Sequence, residues 1–186
     1  MTILFTKRLE LVPVTVELVD AVLSERRDDV RRIVGAELPE AWPGRALVER
    51  AFSASIEAIK KDPDHRLWGD RLLITRGDAP RRLVGSVVFH GSPRDGGMVE
   101  VGYGVEDASQ GLGYATEATA AQVEWALEQP GVRRIEATTP PWHSASIRVL
   151  EKAGFSRAGL EEHPFLGEIL SCLLYTSDAA DERSSV

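Results

Sequence analysis

Apolar positions recur along this chain with two periods, and the changes of period divide it into elements. From Ile3 to Val14 they alternate, with Leu9, Leu11 and Pro13 on one face and Arg8, Glu10 and Val12 on the other, which predicts a strand. Pro13 has no N–H for a ladder, so it marks an edge or a strand end. The period then lengthens: Leu18, Val19, Val22 and Leu23 pair at i and i+4 behind Thr15, a residue suited to cap a helix. Charge takes over from Glu25 to Arg32, and Leu38-Pro39-Glu40-Ala41-Trp42-Pro43-Gly44 reads as an irregular loop. Between Arg45 and Lys61, Val48, Phe52, Ile56 and Ile59 make a helical stripe, closed by Asp62-Pro63-Asp64.

Three short strand-like runs follow, Arg71–Thr75, Leu83–His90 and Met98–Val105. The segments 76–80 and 91–97 between them are rich in Gly, Pro and Asp and short enough for antiparallel hairpins, which predicts a meander. An alanine-rich helix then runs from a glycine turn to about Glu128, with Thr116, Ala120, Val123 and Leu127 on one face, small at its start so that it lies close to a sheet. Pro130-Gly131 stops it. A strand Arg133–Thr138, a loop Pro140-Pro141-Trp142, and a helix Ser144–Ala153 with Gly154 at its C-terminal cap come next. Phe155 begins a strand towards Leu160, and Gly167–Leu174 reads as the last one. The pattern predicts a single domain over 1–170, with 171–186 holding the last strand and a polar, aperiodic tail expected to be disordered. The run Leu173–Glu182 also resembles a translated sequencing adapter, which leaves the native character of the tail open.

Composition narrows the class. With 186 residues, 43% of them apolar, the chain can bury one good core. A net charge of -7 argues against a nucleic-acid partner and suits a cationic or amine substrate. The single cysteine, Cys172, allows no internal disulfide, and His65, His90, His143 and His163 have no metal-ligand spacing, so no metal is expected. No apolar run reaches the length of a membrane span and the N-terminus lacks a signal-like apolar stretch, so no membrane partner and a cytoplasmic location are expected.

The chemistry centres on Gln110-Gly111-Leu112-Gly113-Tyr114-Ala115-Thr116-Glu117-Ala118, where a strand gives way to a helix. Two glycines there let the backbone approach a ligand closely, and the N–H groups of a first helical turn point at whatever anion lies ahead of them. A phosphate-binding P-loop needs Lys-Ser or Lys-Thr after its last glycine, and Tyr114 follows Gly113, so that reading fails. A dinucleotide site is the rival, with Glu136 as its ribose-binding acid. Thr116 at the third glycine position, the polar turn Glu106–Gln110 and the preceding meander all speak against it.

Gln110-x-x-Gly113-x-Ala115 matches the acetyl-CoA signature of the GCN5-related N-acetyltransferases. Nearly the whole chain resembles the branch of that superfamily that acetylates ribosomal-protein N-termini and small amines. The resemblance is carried also by Thr6-Lys7-Arg8-Leu9-Glu10-Leu11, Val99-Glu100-Val101-Gly102-Tyr103 and Ser146-Ile147-Arg148-Val149-Leu150-Glu151-Lys152-Ala153-Gly154-Phe155. It implies a mixed α/β fold, a central, mostly antiparallel sheet whose central strands splay apart, and about four helices. It implies acetyl-CoA as co-substrate, with Gln110, Gly111, Leu112, Gly113, Tyr114, Ala115 and Thr116 around its pyrophosphate and backbone N–H groups near Tyr103 or Val105 at its thioester. Gly102 and Gly104 fit a bulge that would cause the splay.

For the reaction itself, Glu100 is the expected general base and Ser146 the expected acid for the leaving thiolate. His143 stands where the family commonly has an asparagine against the cofactor, and an imidazole can make a similar hydrogen bond. Trp42, Trp68, Phe89 and His90 are expected to line the acceptor side. The implied acceptor is a primary amine, either a peptide N-terminus or a small amine including an aminoglycoside-type antibiotic. A non-catalytic acyl-CoA-binding module is the alternative, and a homodimer stays open.

Overall fold

The structure, a computed structural model, describes residues 2–43, 60–77, 80–94, 96–165 and 167–176. The predicted helical stripe of Val48, Phe52, Ile56 and Ile59, and the tail from residue 177 onwards, lie outside the described residues.

Eight strands form one sheet in the order β1-β2-β3-β4-β5-β6-β8-β7. They are β1 (Leu4–Phe5), β2 (Leu9–Pro13), β3 (Asp70–Thr75), β4 (Leu83–Phe89), β5 (Met98–Val105), β6 (Arg134–Thr139), β7 (Ser156–His163) and β8 (Gly167–Tyr175). Neighbours are antiparallel except for β5 and β6. A dinucleotide fold would need a parallel sheet on both sides of the glycine turn, and this meander excludes it. β8 inserts between β6 and β7, and Ser171 and Cys172 on it are 2% and 1% exposed, so it is an integral strand of the sheet.

The alternation of β2 is as the sequence implies: Leu9, Leu11 and Pro13 are buried, and Pro13 ends the strand. Along β3 successive side chains enter opposite layers. Leu73 joins a core with Leu9, Leu11, Val87, Phe89, Val99, Val101 and Ile135, while Leu72 and Ile74 join a second core with Leu18, Val19, Val30 and Val34. The sheet therefore separates two helical layers. Helices α1 (Val16–Leu23) and α2 (Arg27–Val34) cover one face; α3 (Tyr114–Leu127) and α4 (Ser144–Lys152) cover the other.

Thr15 caps α1 by accepting from the Leu18 N–H at 3.3 Å. Leu23, expected on the apolar face, is 53% exposed, and Ala21 is buried in its place. The charged stretch after it is a helix that charge content hides: Val30 and Val34, one turn apart, anchor α2, and Gly35 ends it with φ 63°. The buried face of α3 also differs from the expected one. Ala118, Thr119, Gln122, Val123 and Ala126 point inward, while Ala120 is exposed.

That inward face carries Gln122 to the fully buried Arg71 of β3, whose Nη1 donates to the Gln122 Oε1. The guanidinium also lies 4.3 Å from the Trp125 ring centroid, and burial lowers its pKa to about 10. Trp125 in turn packs on Trp68 and Phe89.

Candidate active site

β5 and β6 hydrogen-bond over Met98–Glu100 and Arg134–Glu136 and then part. Past that vertex β5 stays with β4, in an unbroken register from Val101 opposite Phe89 to Val105 opposite Gly85, while β6 stays with β8. The predicted bulge at Gly102 and Gly104 is therefore absent, and the register shift in this half of the sheet lies between Leu73 and Ile74 of β3. Close packing accounts for glycine nearby: a Cβ on Gly85 would come within 2.2 Å of the Gly104 carbonyl oxygen. His90 N donates to Glu100 O and Glu106 N to Val84 O, so the even-numbered residues of β5 face β4. The backbone groups of Tyr103 and Val105 turn the other way, into the space that β6 has left.

A cleft of about 490 Å³ fills that space. Its walls are Tyr103, Gly104 and Val105 of β5, the turn from Ser109 into α3, and His143, Ala145, Ser146, Arg148, Val149 and Lys152 of α4. Gly111 and Gly113 have φ of 74° and 83°, a region that costs a side-chain-bearing residue about 1–2 kcal/mol. A Cβ on Gly111 would meet nothing within 4 Å.

Gly113 is the N-cap of α3, and its carbonyl takes the first helical bond from Glu117 N at 3.1 Å. No side chain caps the helix, so the N–H groups of Tyr114, Ala115 and Thr116 lack an acceptor within the helix. His143, at the start of α4, likewise makes no capping bond, so two helix N-termini border the cleft. Uncapped N–H groups, two left-handed glycines and the cations of Arg148 and Lys152 together suit a polyanionic ligand such as the diphosphate of coenzyme A.

The turn is braced from the N-terminal hairpin. Glu117 accepts from Thr6 Oγ1 at 2.5 Å, from Arg8 N at 2.7 Å and from Arg8 Nε at 2.7 Å. Arg8 Nη1 then donates to the Leu112 carbonyl at 2.8 Å. Burial of the Glu117 carboxyl works to raise its pKa, but these bonds outweigh it and hold the group below the ordinary value of 4.5. Gln110 fastens the other end, its Nε2 donating to Val105 O at 3.2 Å and to Asp107 Oδ1 at 2.9 Å.

On the cleft wall the Tyr103 hydroxyl lies 2.8 Å from Ser146 Oγ and donates to Ser146 O at 3.0 Å. Burial raises the Tyr103 pKa, so the phenol keeps its proton at neutral pH. Glu100 sits at the vertex on the opposite face of the sheet, the last residue of β5 paired with β6. Its carboxylate is 3.3 Å from His90 Nδ1, 3.5 Å from Thr138 Oγ1 and 4.0 Å from Arg94 Nη2. The His90 contact, more than the neighbouring charges, holds the Glu100 pKa below its ordinary value, against the opposing effect of burial. Glu136, its neighbour across β6, accepts from Ser171 Oγ at 2.8 Å.

The expected site residues thus fall into separate groups. Val105, Gln110, Gly111, Gly113, Tyr114, Ala115, Thr116, His143 and Ser146 share the cleft, and Leu112 lies in its turn with its side chain 54% exposed. Glu100 and His90 meet at the vertex. The four expected acceptor residues are not brought together. Phe89 is 1% exposed inside the main core and stacks with Trp68, while Trp42 is buried against α1 and α2 in the second core. Arg8, Arg148 and Lys152 were not expected at the site, and Tyr103 was expected only through its backbone, not through the hydroxyl that meets Ser146. For Arg148 and Lys152 the i, i+4 spacing after Ser144 was the available signal.

Comparison with known proteins agrees with this geometry. The sequence profile described as "Acetyltransferase (GNAT) domain" matches residues 8–156. The uncharacterized N-acetyltransferase YjdG of Bacillus subtilis (strain 168) is 28% identical over 155 residues, 83% of this chain and 90% of that protein. A GNAT-family acetyltransferase structure from Bacillus anthracis superposes with a TM-score of 0.63 at 22% identity, covering 94% of this chain and 99% of that one. RimL, a ribosomal L7/L12 α-N-protein acetyltransferase solved in complex with coenzyme A, gives 0.61 at 15% identity, covering 96% and 99%. A splayed β5–β6 pair above an uncapped glycine turn, together with a profile match over most of the length, means that this chain belongs to the GNAT acetyltransferase family.

Proposed function

We propose that this chain transfers the acetyl group of acetyl-CoA directly to a primary amine, either a peptide N-terminus or a small amine of the polyamine or aminoglycoside kind. The observation that carries the reading is the parting of β5 and β6 beside the uncapped start of α3. Acetyl-CoA supplies an activated acyl group as its thioester. Around it, the N–H groups from Gly111 to Thr116 receive the diphosphate, and Arg148 and Lys152 add positive charge. Backbone N–H groups at Tyr103 and Val105 face the gap where the thioester carbonyl would lie, and they stabilise the oxyanion that develops on attack.

Amine attack requires a neutral nitrogen, so a proton must leave it. The Glu100 carboxylate, kept ionised by its contact with His90, provides the basic site at the vertex. The departing thiolate takes a proton from the Ser146 hydroxyl, which Tyr103 holds in place at 2.8 Å. RimL, by its name, acts on the N-terminus of a ribosomal protein, which supports a peptide acceptor; the net charge of -7 supports a cationic one.

The test is thiol release from acetyl-CoA with a panel of an alanine-initiated peptide, a serine-initiated peptide, spermidine and an aminoglycoside, followed by mass analysis of the amine. Gain of one acetyl group on a panel member is the expected result. Tight acetyl-CoA binding without thiol release from any of them would replace this reading with a binding module.

A further inference from the structure

We infer that His90 receives the proton from the acceptor amine and that Glu100 acts through it as the positioning residue. This assignment rests on the acetyl-transfer reading above and specifies how its basic site is built. His90 follows β4 directly, and its N–H donates to Glu100 O at 2.9 Å, so the two side chains stand side by side on the face of the sheet opposite the cleft. Nδ1 lies 3.3 Å from Glu100 Oε2. An ionised carboxylate at this distance favours the hydrogen on Nδ1, which leaves the lone pair on Nε2.

The position of Nε2 is the second observation. It lies 3.5 Å from where a Cβ of Gly102 would stand. Gly102 is the next residue of β5 on that face beyond Glu100, on the side where β6 departs. The imidazole therefore leans over the strand towards the splay, and the absence of a side chain at position 102 leaves it room. The His90 side chain is 38% exposed against 24% for Glu100, so the ring touches solvent and can release a proton there. Other charged groups on the same face are Arg94, 4.0 Å from the Glu100 carboxylate, Glu136 beside Glu100 on β6, and Asp70, opposite Val88 at the start of β3.

In the step itself the ammonium of the acceptor gives one proton to His90 Nε2. The freed amine forms the new C–N bond at the thioester carbonyl, and the C–S bond breaks as the tetrahedral adduct collapses. The nitrogen loses its second proton as the amide forms, the thiolate gains one by way of Ser146, and His90 returns its proton to solvent. One thiol and one proton leave for each amide made.

Two measurements on the full chain test the assignment. In 15N spectra of the imidazole rings, His90 of the wild type should be the Nδ1–H tautomer, and Glu100→Gln should weaken that preference. An Nε2–H tautomer that does not respond to Glu100→Gln would overturn the proposal. In thiol-release assays with whichever panel amine is acetylated, kcat/KM should rise with pH on one limb. His90→Gln should remove that limb and lower kcat on the order of 100-fold with the KM for acetyl-CoA unchanged. Glu100→Gln should keep the limb and lower kcat by a smaller factor, because the ring loses its orienting partner while Nε2 is retained. If Glu100→Gln abolishes the limb while His90→Gln retains it, Glu100 is the base and the assignment fails. Silence of the wild type towards every amine would instead bring down the transfer reading itself.

Discussion

Gly113 and Glu117 decide whether the coenzyme turn is built at all. Gly113→Ala places a Cβ at φ 83° and 3.3 Å from Arg8 Nη2, the guanidinium that holds the Leu112 carbonyl. Stability should fall by about 1–2 kcal/mol in a thermal melt, and acetyl-CoA affinity in a calorimetric titration should fall further than stability does. Glu117→Gln removes a carboxylate that ties two distant segments, and the loss at neutral pH should be about 1.5–3 kcal/mol. Because the folded-state pKa of Glu117 is lowered, its contribution is present above 4.5 and disappears as pH falls through the depressed value. Wild type and variant should therefore converge in stability in strong acid; a gap that stays constant from pH 7 downwards would contradict this. The glycines were legible in the sequence because the demand for positive φ is local. Arg8 was not, since its partners lie 104 and 109 residues further along the chain.

Among the elements, α3 shows where pattern reading stopped. Alanines on several faces leave the helix with little contrast between sides, so the expected stripe through Ala120 was no better marked than the true one through Ala118, Gln122 and Ala126. A polar residue on the buried face was the missing clue, and it gained meaning only from Arg71 across the layer. Among the described residues Gln122 is the hydrogen-bond acceptor of that guanidinium, whose Nε and Nη2 have no partner. Gln122→Leu should cost about 1.5–3 kcal/mol in urea unfolding. The double variant Arg71→Met with Gln122→Leu should recover to within about 1 kcal/mol of wild type, since a buried charge and its partner are then removed together. A double variant less stable than Gln122→Leu alone would mean that the stacking on Trp125 outweighs the desolvation.

For the molecule as a whole, an acidic protein must receive a polyanionic co-substrate. The net charge of -7 opposes that approach, and Arg148 and Lys152 reverse the sign locally at the cleft. Replacing both by alanine should weaken acetyl-CoA binding on the order of tenfold, about 1.4 kcal/mol, and flatten the dependence of affinity on sodium chloride. Equal salt slopes for variant and wild type would remove these side chains from the binding site. At this scale the meander and the glycine turn could be read from short-range pattern, and the class of fold from the family resemblance. The parting of β5 from β6 entered only through the family resemblance, and the insertion of β8 was not read at all, because both depend on which distant strands pair.

That insertion has a consequence for the order in which the chain matures. A polypeptide leaving the ribosome presents β6, α4 and β7 before β8, yet β8 is the strand that both β6 and β7 require as neighbour. Until it arrives, the half of the sheet that carries α4 exposes two open edges, which are templates for pairing with other chains. The earlier strands can close their hairpins during synthesis, whereas the wall of the cleft bearing Ser146 becomes fixed last. Acetyl-CoA binding should therefore be absent from nascent chains stalled before Gly167 and appear in a single step once Tyr175 is free.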